Sequence, residues 1–186
     1  MEIIIAPNII LSQTAKEVGK VDSSVLKTVS KMKKALDLAH DPIGVGLAAP
    51  QIGKPLRIFI ARPNPKSKML VFINPMTEKS EPPKSHFPTR ASHISRRTSK
   101  LEGCLSLPDI WGVVQRPREI TVSFLDEQGK KHTKKFKGLL SIVVQHEIDH
   151  LDGILFTKKV LEQKEKLYRS HKNKKGEDIF EPISLI

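Results

Sequence analysis

The chain has 186 residues, of which 38% are hydrophobic, and this is typical of one globular domain, residues 1–186, with a sizeable core. Lys and Arg number 32 against 20 Asp and Glu, and the formal net charge of +12 indicates attraction to polyanions. No apolar stretch reaches the ~18 residues of a membrane span, and the first residues lack the basic and apolar regions of a secretory signal. We therefore expect a cytoplasmic protein, without a membrane partner, that is a monomer.

The first part of the chain predicts one helix and two strands. From Asp22 to about Ala39 the apolar residues recur at steps of three and four, which is typical of an amphipathic helix packed on a core. Either Asp22 or Ser23 suits its N-cap. A small-residue loop at 44–53 follows, and then two short apolar segments, 56–60 and 69–73, predict strands joined by a Pro-rich turn.

Residues 76–100 predict a long exposed basic loop. They are rich in Pro, Ser and Thr, with six basic and two acidic side chains. A loop of this length inside a compact domain is more often functional or disordered than neutral.

The second part predicts three strands, a central helix and a basic C-terminal segment. Residues 111–116, 120–125 and 131–136 have strand character, and a hairpin turn at 126–129 joins the last two. A buried helix begins at Gly138. A lysine-rich helix from about Thr157 to Ser170 and an apolar tail make up residues 157–186.

The central helix carries a metal-binding pattern. His146 and His150 are four residues apart, so on a helix both imidazoles lie on one face and are able to bind one metal ion. Glu147 between them is placed to move a proton. Two core histidines would give the same spacing, so the pattern needs a third ligand.

Three sources of that third ligand are open. One class of zinc protease has a third histidine six residues after the second, but this chain has Phe156 there. Another class uses a later glutamate, for which Glu162 or Glu165 would serve. Cys104 is the only cysteine, and a thiolate with two imidazoles is a sound ligand set for Zn²⁺ or Fe²⁺.

Three segments together resemble a known family. GVGLAAPQ at 44–51, EGCLS at 102–106 and HEIDH at 146–150 are similar to the three signature motifs of peptide deformylases, intact and in the same order. The resemblance covers about residues 8–160. It implies an α+β fold, in which small antiparallel sheets pack around a central metal-bearing α-helix.

The resemblance also implies an activity, which is removal of the formyl group from the N-terminal formyl-methionine of newly made polypeptides, with release of formate. It makes Cys104, His146 and His150 the ligands of one divalent metal ion, expected to be Fe²⁺, with Zn²⁺, Ni²⁺ or Co²⁺ as alternatives. Glu147 would transfer the proton. The formyl oxygen would be bound by the side-chain amide of Gln51 and the backbone N–H of Leu105.

The resemblance to peptide deformylases also implies roles for the remaining site residues. The methionine side chain would bind in an apolar pocket, and Glu102 would pair with Arg116 to hold the cysteine loop. The expected pocket residues are Val45, Gly46, Leu139, Ile142 and Val143. The role of Trp111 at the mouth of the site is open.

Two other functions compete with this hypothesis. One is a metal peptidase, with Glu162 or Glu165 as a ligand. The other is a catalytically silent, basic protein that binds RNA or ribosomes on the same scaffold. Eight basic and two acidic side chains lie between Lys158 and Lys175, so we expect any ribosome contact to be phosphate-directed and to use this segment. Solubility alone explains these lysines equally well.

Overall fold

The computed structural model of the chain describes residues 2–40, 43–78 and 101–184. Within these ranges the chain forms helices and strands, and the strands pair into two antiparallel sheets. The helices are α1 (Ser23–Asp37), α2 (Gly138–Leu151) and α3 (Phe156–Glu162). The strands are β1 (Gly46–Ala48), β2 (Ile58–Ala61), β3 (Leu70–Thr77), β4 (Leu101–Cys104), β5 (Leu107–Val113), β6 (Glu119–Leu125), β7 (Lys131–Lys137), β8 (Leu167–Lys172) and β9 (Asp178–Pro182).

The first sheet has the strand order β1-β2-β3-β6-β7 and packs a helix on each face. Side chains alternate along its strands, so Ile58 and Ile60 join the core beneath α1 while Phe59 and Phe72 join the core beneath α2. The rings of Phe59 and Phe72 stack with centroids 4.3 Å apart. Because both faces are covered, β2 is apolar at every position rather than at every second one.

The second sheet has the order β4-β5-β8-β9. Its core is small, and α3 contributes Phe156 and Val160 to it, next to Cys104 on β4. Helix α2 packs on the first sheet through Val144 and Leu151 and carries its histidines to Cys104 of the second sheet. The predicted α+β architecture with a central helix is therefore confirmed.

The amphipathic helix at 22–39 is confirmed as α1. Asp22 is its N-cap, and its Oδ1 accepts hydrogen bonds from the backbone N–H groups of Ser24 and Val25, at 2.9 and 3.0 Å. The strand predicted to end at Ile73 instead continues to Thr77, through an irregularity between Ile73 and Met76 in which Asn74 has φ 49°.

The lysine-rich helix predicted from Thr157 to Ser170 is wrong beyond its first turns. Helix α3 ends at Glu162, Lys164 has φ 58°, and residues 167–182 form the β8–β9 hairpin. The cause is tertiary pairing, since β8 adds to the edge of β5 with Trp111 opposite Tyr168. Such long-range pairing overrides local helix propensity. Most of the basic loop expected at 76–100 lies outside the described residues.

Two further features bear on the site. The N-terminal segment crosses two loops, since the N–H of Ile4 donates to the carbonyl of Gln51 at 2.8 Å and that of Ala6 to the carbonyl of Ser106 at 2.9 Å. In the part of the chain that is described, no helix is long and apolar enough to cross a membrane.

Candidate active site

Helix α2 brings two imidazoles onto one buried face. His146 and His150 are 9% and 1% exposed, and their ring centroids lie 5.0 Å apart, as the four-residue spacing requires. Gly153, with φ 71°, follows the helix, and a side chain there would lie 2.7 Å from the backbone of Ser12. Only glycine therefore lets the chain turn back against the N-terminal segment.

Cys104 completes a group that could hold a metal ion. It lies at the end of β4, is buried, and its Sγ is 3.1 Å from Nε2 of His150. One ligand atom from each of Cys104, His146 and His150 lies within 4.8 Å of the others. Ligands of a tetrahedral ion, at ~2.0–2.3 Å from it, lie about 3.5 Å from one another. The three side chains thus fit one divalent ion, with a position left for water.

The other sources of a third ligand do not reach this group. Among the described residues, neither Glu162 nor Glu165 belongs to a cluster able to hold a metal, and Glu165 instead accepts a hydrogen bond from Gln115 at 3.3 Å. Phe156, at the position of the third histidine in one protease class, packs its ring on His146 with centroids 6.0 Å apart.

A buried ion-pair network fixes the orientation of His146. Nδ1 of His146 is 3.0 Å from Oε2 of Glu102, so Nε2 is the nitrogen left for a metal ion. Arg116 donates to both oxygens of Glu102, at 2.6 and 3.0 Å, and to Asp149 at 2.8 Å. Burial alone would raise the pKa of Glu102, but its hydrogen bonds with His146 and Arg116 outweigh burial and hold that pKa below its usual value.

The second imidazole is held in its ligand form. Burial lowers the pKa of His150 well below its usual value, and the neutral imidazole that results is the form that binds a metal ion. Its Nδ1 is buried without a hydrogen-bond partner among the described residues.

Glu147 lies beside the ligands in an apolar environment. Burial raises the pKa of its carboxyl group to about 7, and its Oε2 has no hydrogen-bond partner among the described residues. A carboxyl group near its pKa at neutral pH is suited to accept and return a proton. Gly46 gives it room, because a Cβ there would lie 2.8 Å from Cδ of Glu147.

The amide of Gln51 is held in one orientation. Its Oε1 accepts from the N–H of Ala48 at 2.8 Å, which turns Nε2 towards the buried Ser106 Oγ at 3.1 Å and Cys104 Sγ at 3.6 Å. Sequence reasoning missed Ser106 as its partner, although Ser106 closes the EGCLS segment. It also missed Asp149 as the second acceptor of Arg116, although Asp149 lies within HEIDH.

The predicted site residues converge on one cavity of about 190 Å³. It is lined by Val45, Gly46, Gln51, Glu102, Cys104, Leu105, Leu139, Ile142, Val143, His146 and Glu147, all expected from the sequence. His150 is 1% exposed and is not among the residues that line the cavity. Trp111, whose role the sequence left open, also lines the cavity.

Comparison with known proteins agrees with this geometry. The family model described as polypeptide deformylase matches residues 1–166. The chain belongs to the polypeptide deformylase family. Peptide deformylases of Borreliella burgdorferi and Agrobacterium fabrum are 33% and 39% identical to it, over 95% and 83% of this chain and 98% and 83% of theirs.

Solved deformylase structures have the same fold. The peptide deformylase of Synechococcus elongatus, in complex with actinonin, superposes with a TM-score of 0.70 at 31% identity, covering 86% of this chain and 78% of that one. The Plasmodium falciparum enzyme, bound to an inhibitor, gives a TM-score of 0.68 at 34% identity, covering 88% and 93%. This chain is thus a metallohydrolase of the deformylase family, and its Cys, His and His group could bind the metal ion on which that family depends.

Proposed function

We propose that Cys104, His146 and His150 hold one divalent metal ion with which the chain removes the formyl group from formyl-methionyl polypeptides. The supporting observations are that the three ligand atoms lie within 4.8 Å of one another, and that Cys104 and His146 line the same cavity as Glu147 and Gln51. An ion bound there would lower the pKa of a water molecule to about 7 and so make hydroxide available at neutral pH.

Glu147 handles the protons of the reaction. Its carboxylate accepts a proton from the attacking water and passes it to the nitrogen that leaves as the formyl C–N bond breaks. The products are formate and a polypeptide with a free amino terminus. The raised pKa supports this role, since the group is able to exist in both protonation states near neutral pH. So does its Oε2, which has no hydrogen-bond partner in the described part of the chain.

Gln51 and Leu105 stabilise the negative charge that develops on the formyl oxygen. The N–H of Ala48 fixes the oxygen end of the Gln51 amide, so Nε2 already faces the metal ligands and needs no reorientation when charge appears. Leu105 follows Cys104 directly and lines the same cavity. One such preorganised donor contributes ~3–4 kcal/mol to transition-state stabilisation.

The methionine side chain occupies the apolar part of the cavity. Its proposed walls are Val45, Gly46, Leu139, Ile142 and Val143. Leu139 is 39% exposed at the rim, while Val143 is 5% exposed, so the pocket deepens from solvent towards the core. An unbranched thioether side chain fills irregular apolar space of this kind well.

Iron is the proposed metal. The donor set itself accepts Fe²⁺, Zn²⁺, Ni²⁺ or Co²⁺, because one thiolate and two imidazoles suit all four ions and metal availability decides between them. Metal analysis of protein purified without oxygen tests this assignment. A preparation active only with zinc would contradict it.

The proposed substrate is a newly made polypeptide, so we propose that the enzyme contacts the ribosome. We also propose that the enzyme is a monomer in the cytoplasm. Lys158, Lys164, Lys166 and Arg169 are exposed on α3, the following turn and β8. We propose that these side chains form the surface that contacts ribosomal phosphate groups, in place of the continuous basic helix expected from the sequence.

The decisive experiment is incubation of the iron-loaded protein with formyl-Met-Ala-Ser. Release of formate with an intact Met-Ala-Ser product is expected. Cleavage inside the peptide would instead identify a metal peptidase, and the absence of any product would favour a silent RNA-binding protein. Protein stripped of metal serves as the control.

A further inference from the structure

Trp111 stands between the cavity at the metal ligands and a second groove. Its indole lies over Gly103, the residue before Cys104, so closely that a Cβ on Gly103 would be 2.8 Å from the ring. The groove beyond it, of about 640 Å³, is lined by Ile43, Cys104, Leu105 and Trp111, which also line the cavity. The two spaces are therefore neighbours, and the indole is part of the wall of each.

The C-terminal hairpin holds the indole in place. Ser170 on β8 accepts a hydrogen bond from Nε1 of Trp111 at 3.0 Å. Phe180 on β9 meets the indole edge-to-face, with centroids 5.6 Å apart and planes at 86°. Ser170 and Phe180 are direct cross-strand partners, so one pair of the hairpin supplies both contacts. The family model ends at residue 166, before this hairpin begins.

We propose that the β8–β9 hairpin positions Trp111 and forms with it the binding surface for the peptide residues that follow formyl-methionine. This rests on the proposed function. Because Cys104 and Trp111 line both spaces, a substrate whose methionine fills the cavity and whose chain passes these two residues enters the groove. Its apolar wall contains Leu107, Ile110, Trp111 and Phe180. Ser170 and Phe180 act as positioning residues, since both hold the indole.

Two substrates separate this role from the chemistry. Formyl-Met-Ala ends near the cavity, whereas formyl-Met-Ala-Leu-Leu extends into the groove. For Ser170→Ala and Phe180→Ala, the ratio of kcat/KM for the long peptide to that for the short peptide should fall by about fivefold, the effect of losing roughly 1 kcal/mol of binding. The fall should lie in KM for the long peptide. Ser170→Thr keeps the hydroxyl group and should retain the wild-type ratio.

Ile179→Ala is the matched control. Ile179 neighbours Phe180 on β9, is exposed to 39% against 37% for Phe180, and points to the other face of the strand. It does not line the groove. This variant should keep the wild-type ratio, so that general loosening of the hairpin is distinguished from loss of the contact with Trp111.

Fluorescence gives a readout that does not depend on activity. Trp111 is the only tryptophan, so the emission of the protein reports this indole alone. Ser170→Ala and Phe180→Ala should make it more accessible to acrylamide, and the product Met-Ala-Leu-Leu should protect it in the wild type. An unchanged peptide ratio in both variants overturns the proposal, and so does an unchanged quenching constant. Absence of formate from both peptides with the wild type overturns the proposed function itself.

Discussion

Gly46 and Glu147 approach each other so closely that a methyl group on Gly46 would lie 2.8 Å from Cδ and 3.0 Å from Cγ of Glu147. Strand β1 and helix α2 therefore share a space that only a hydrogen atom fits. The position of the Glu147 carboxyl group on α2 therefore depends on the absence of a side chain at Gly46 on β1.

Gly46→Ala should consequently displace Glu147 and lower kcat. We expect a loss of ~10²-fold or more, because a general base out of position loses most of its effect, and a destabilisation of ~1–3 kcal/mol from overpacking. Metal content should remain, since Gly46 is not a ligand. Gly19→Ala is the control, because nothing lies within 4 Å of a Cβ at that position. Wild-type kcat in the Gly46 variant would show that the carboxyl group tolerates the shift.

Glu147→Gln tests the proton transfer itself. The amide keeps the size of the side chain but cannot accept a proton, so turnover should fall by ~10²–10⁴ while metal and peptide still bind. Turnover, metal content and binding of the product peptide should be measured on one preparation. Undiminished turnover would remove Glu147 from the mechanism.

Cys104→Ala should lose metal and activity together. Two imidazoles alone hold a divalent ion weakly, and the thiolate is the only charged ligand of the three. Metal content after dialysis against a chelator is the measurement. Ser106→Ala removes the buried neighbour that accepts from Gln51 and leaves the thiolate in place, so it should keep its metal. Equal retention by the two variants would refute the ligand assignment.

The Glu102–Arg116 pair offers a test that separates stability from metal affinity. Arg116→Met removes the guanidinium that neutralises the buried Glu102 carboxylate and leaves it only His146, which should cost ~3–5 kcal/mol of the free energy of unfolding. Adding Glu102→Met should recover much of that stability, because buried pairs are replaceable by apolar side chains. Metal affinity should still fall by ~10–100-fold in the double variant, because His146 loses its acceptor. Denaturant unfolding and metal titration measure the two effects, and full metal affinity would exclude a supporting role.

Reversing the charge of Lys164, Lys166 and Arg169 tests the ribosome surface. Co-sedimentation with ribosomes should weaken, and its dependence on salt between ~50 and 200 mM should flatten, because fewer counterions are released. Lys130, Lys131 and Lys134 in and before β7 give a control triple variant with the same change of charge on another strand. Equal weakening in both variants would mean that net charge, and not this surface, governs binding. Hydrolysis of formyl-Met-Ala-Ser, measured alongside, reports whether the site is intact.

The local patterns of the sequence predicted most of the residues that line the candidate site, because the spacing within each motif determines which side chains lie on the same face. Four-residue spacing on a helix fixes the two imidazoles, and apolar steps of three and four fixed α1. The β8–β9 hairpin escaped prediction because its strand character comes from pairing with β5, some 60 residues earlier in the chain. The partners Ser106 and Asp149 were missed for a related reason, since a hydrogen bond across 55 or 33 residues leaves no local pattern.

The N-terminal segment has a practical consequence for anyone who prepares this enzyme. Its Ile4 and Ala6 amides donate hydrogen bonds to the carbonyls of Gln51 and Ser106, and the side chains of these two residues are hydrogen-bonded to each other at 3.1 Å. A purification tag placed before residue 2 would therefore be joined directly to the segment that links these two parts of the candidate site. Tagged and cleaved preparations should be compared before rates are assigned to the native protein.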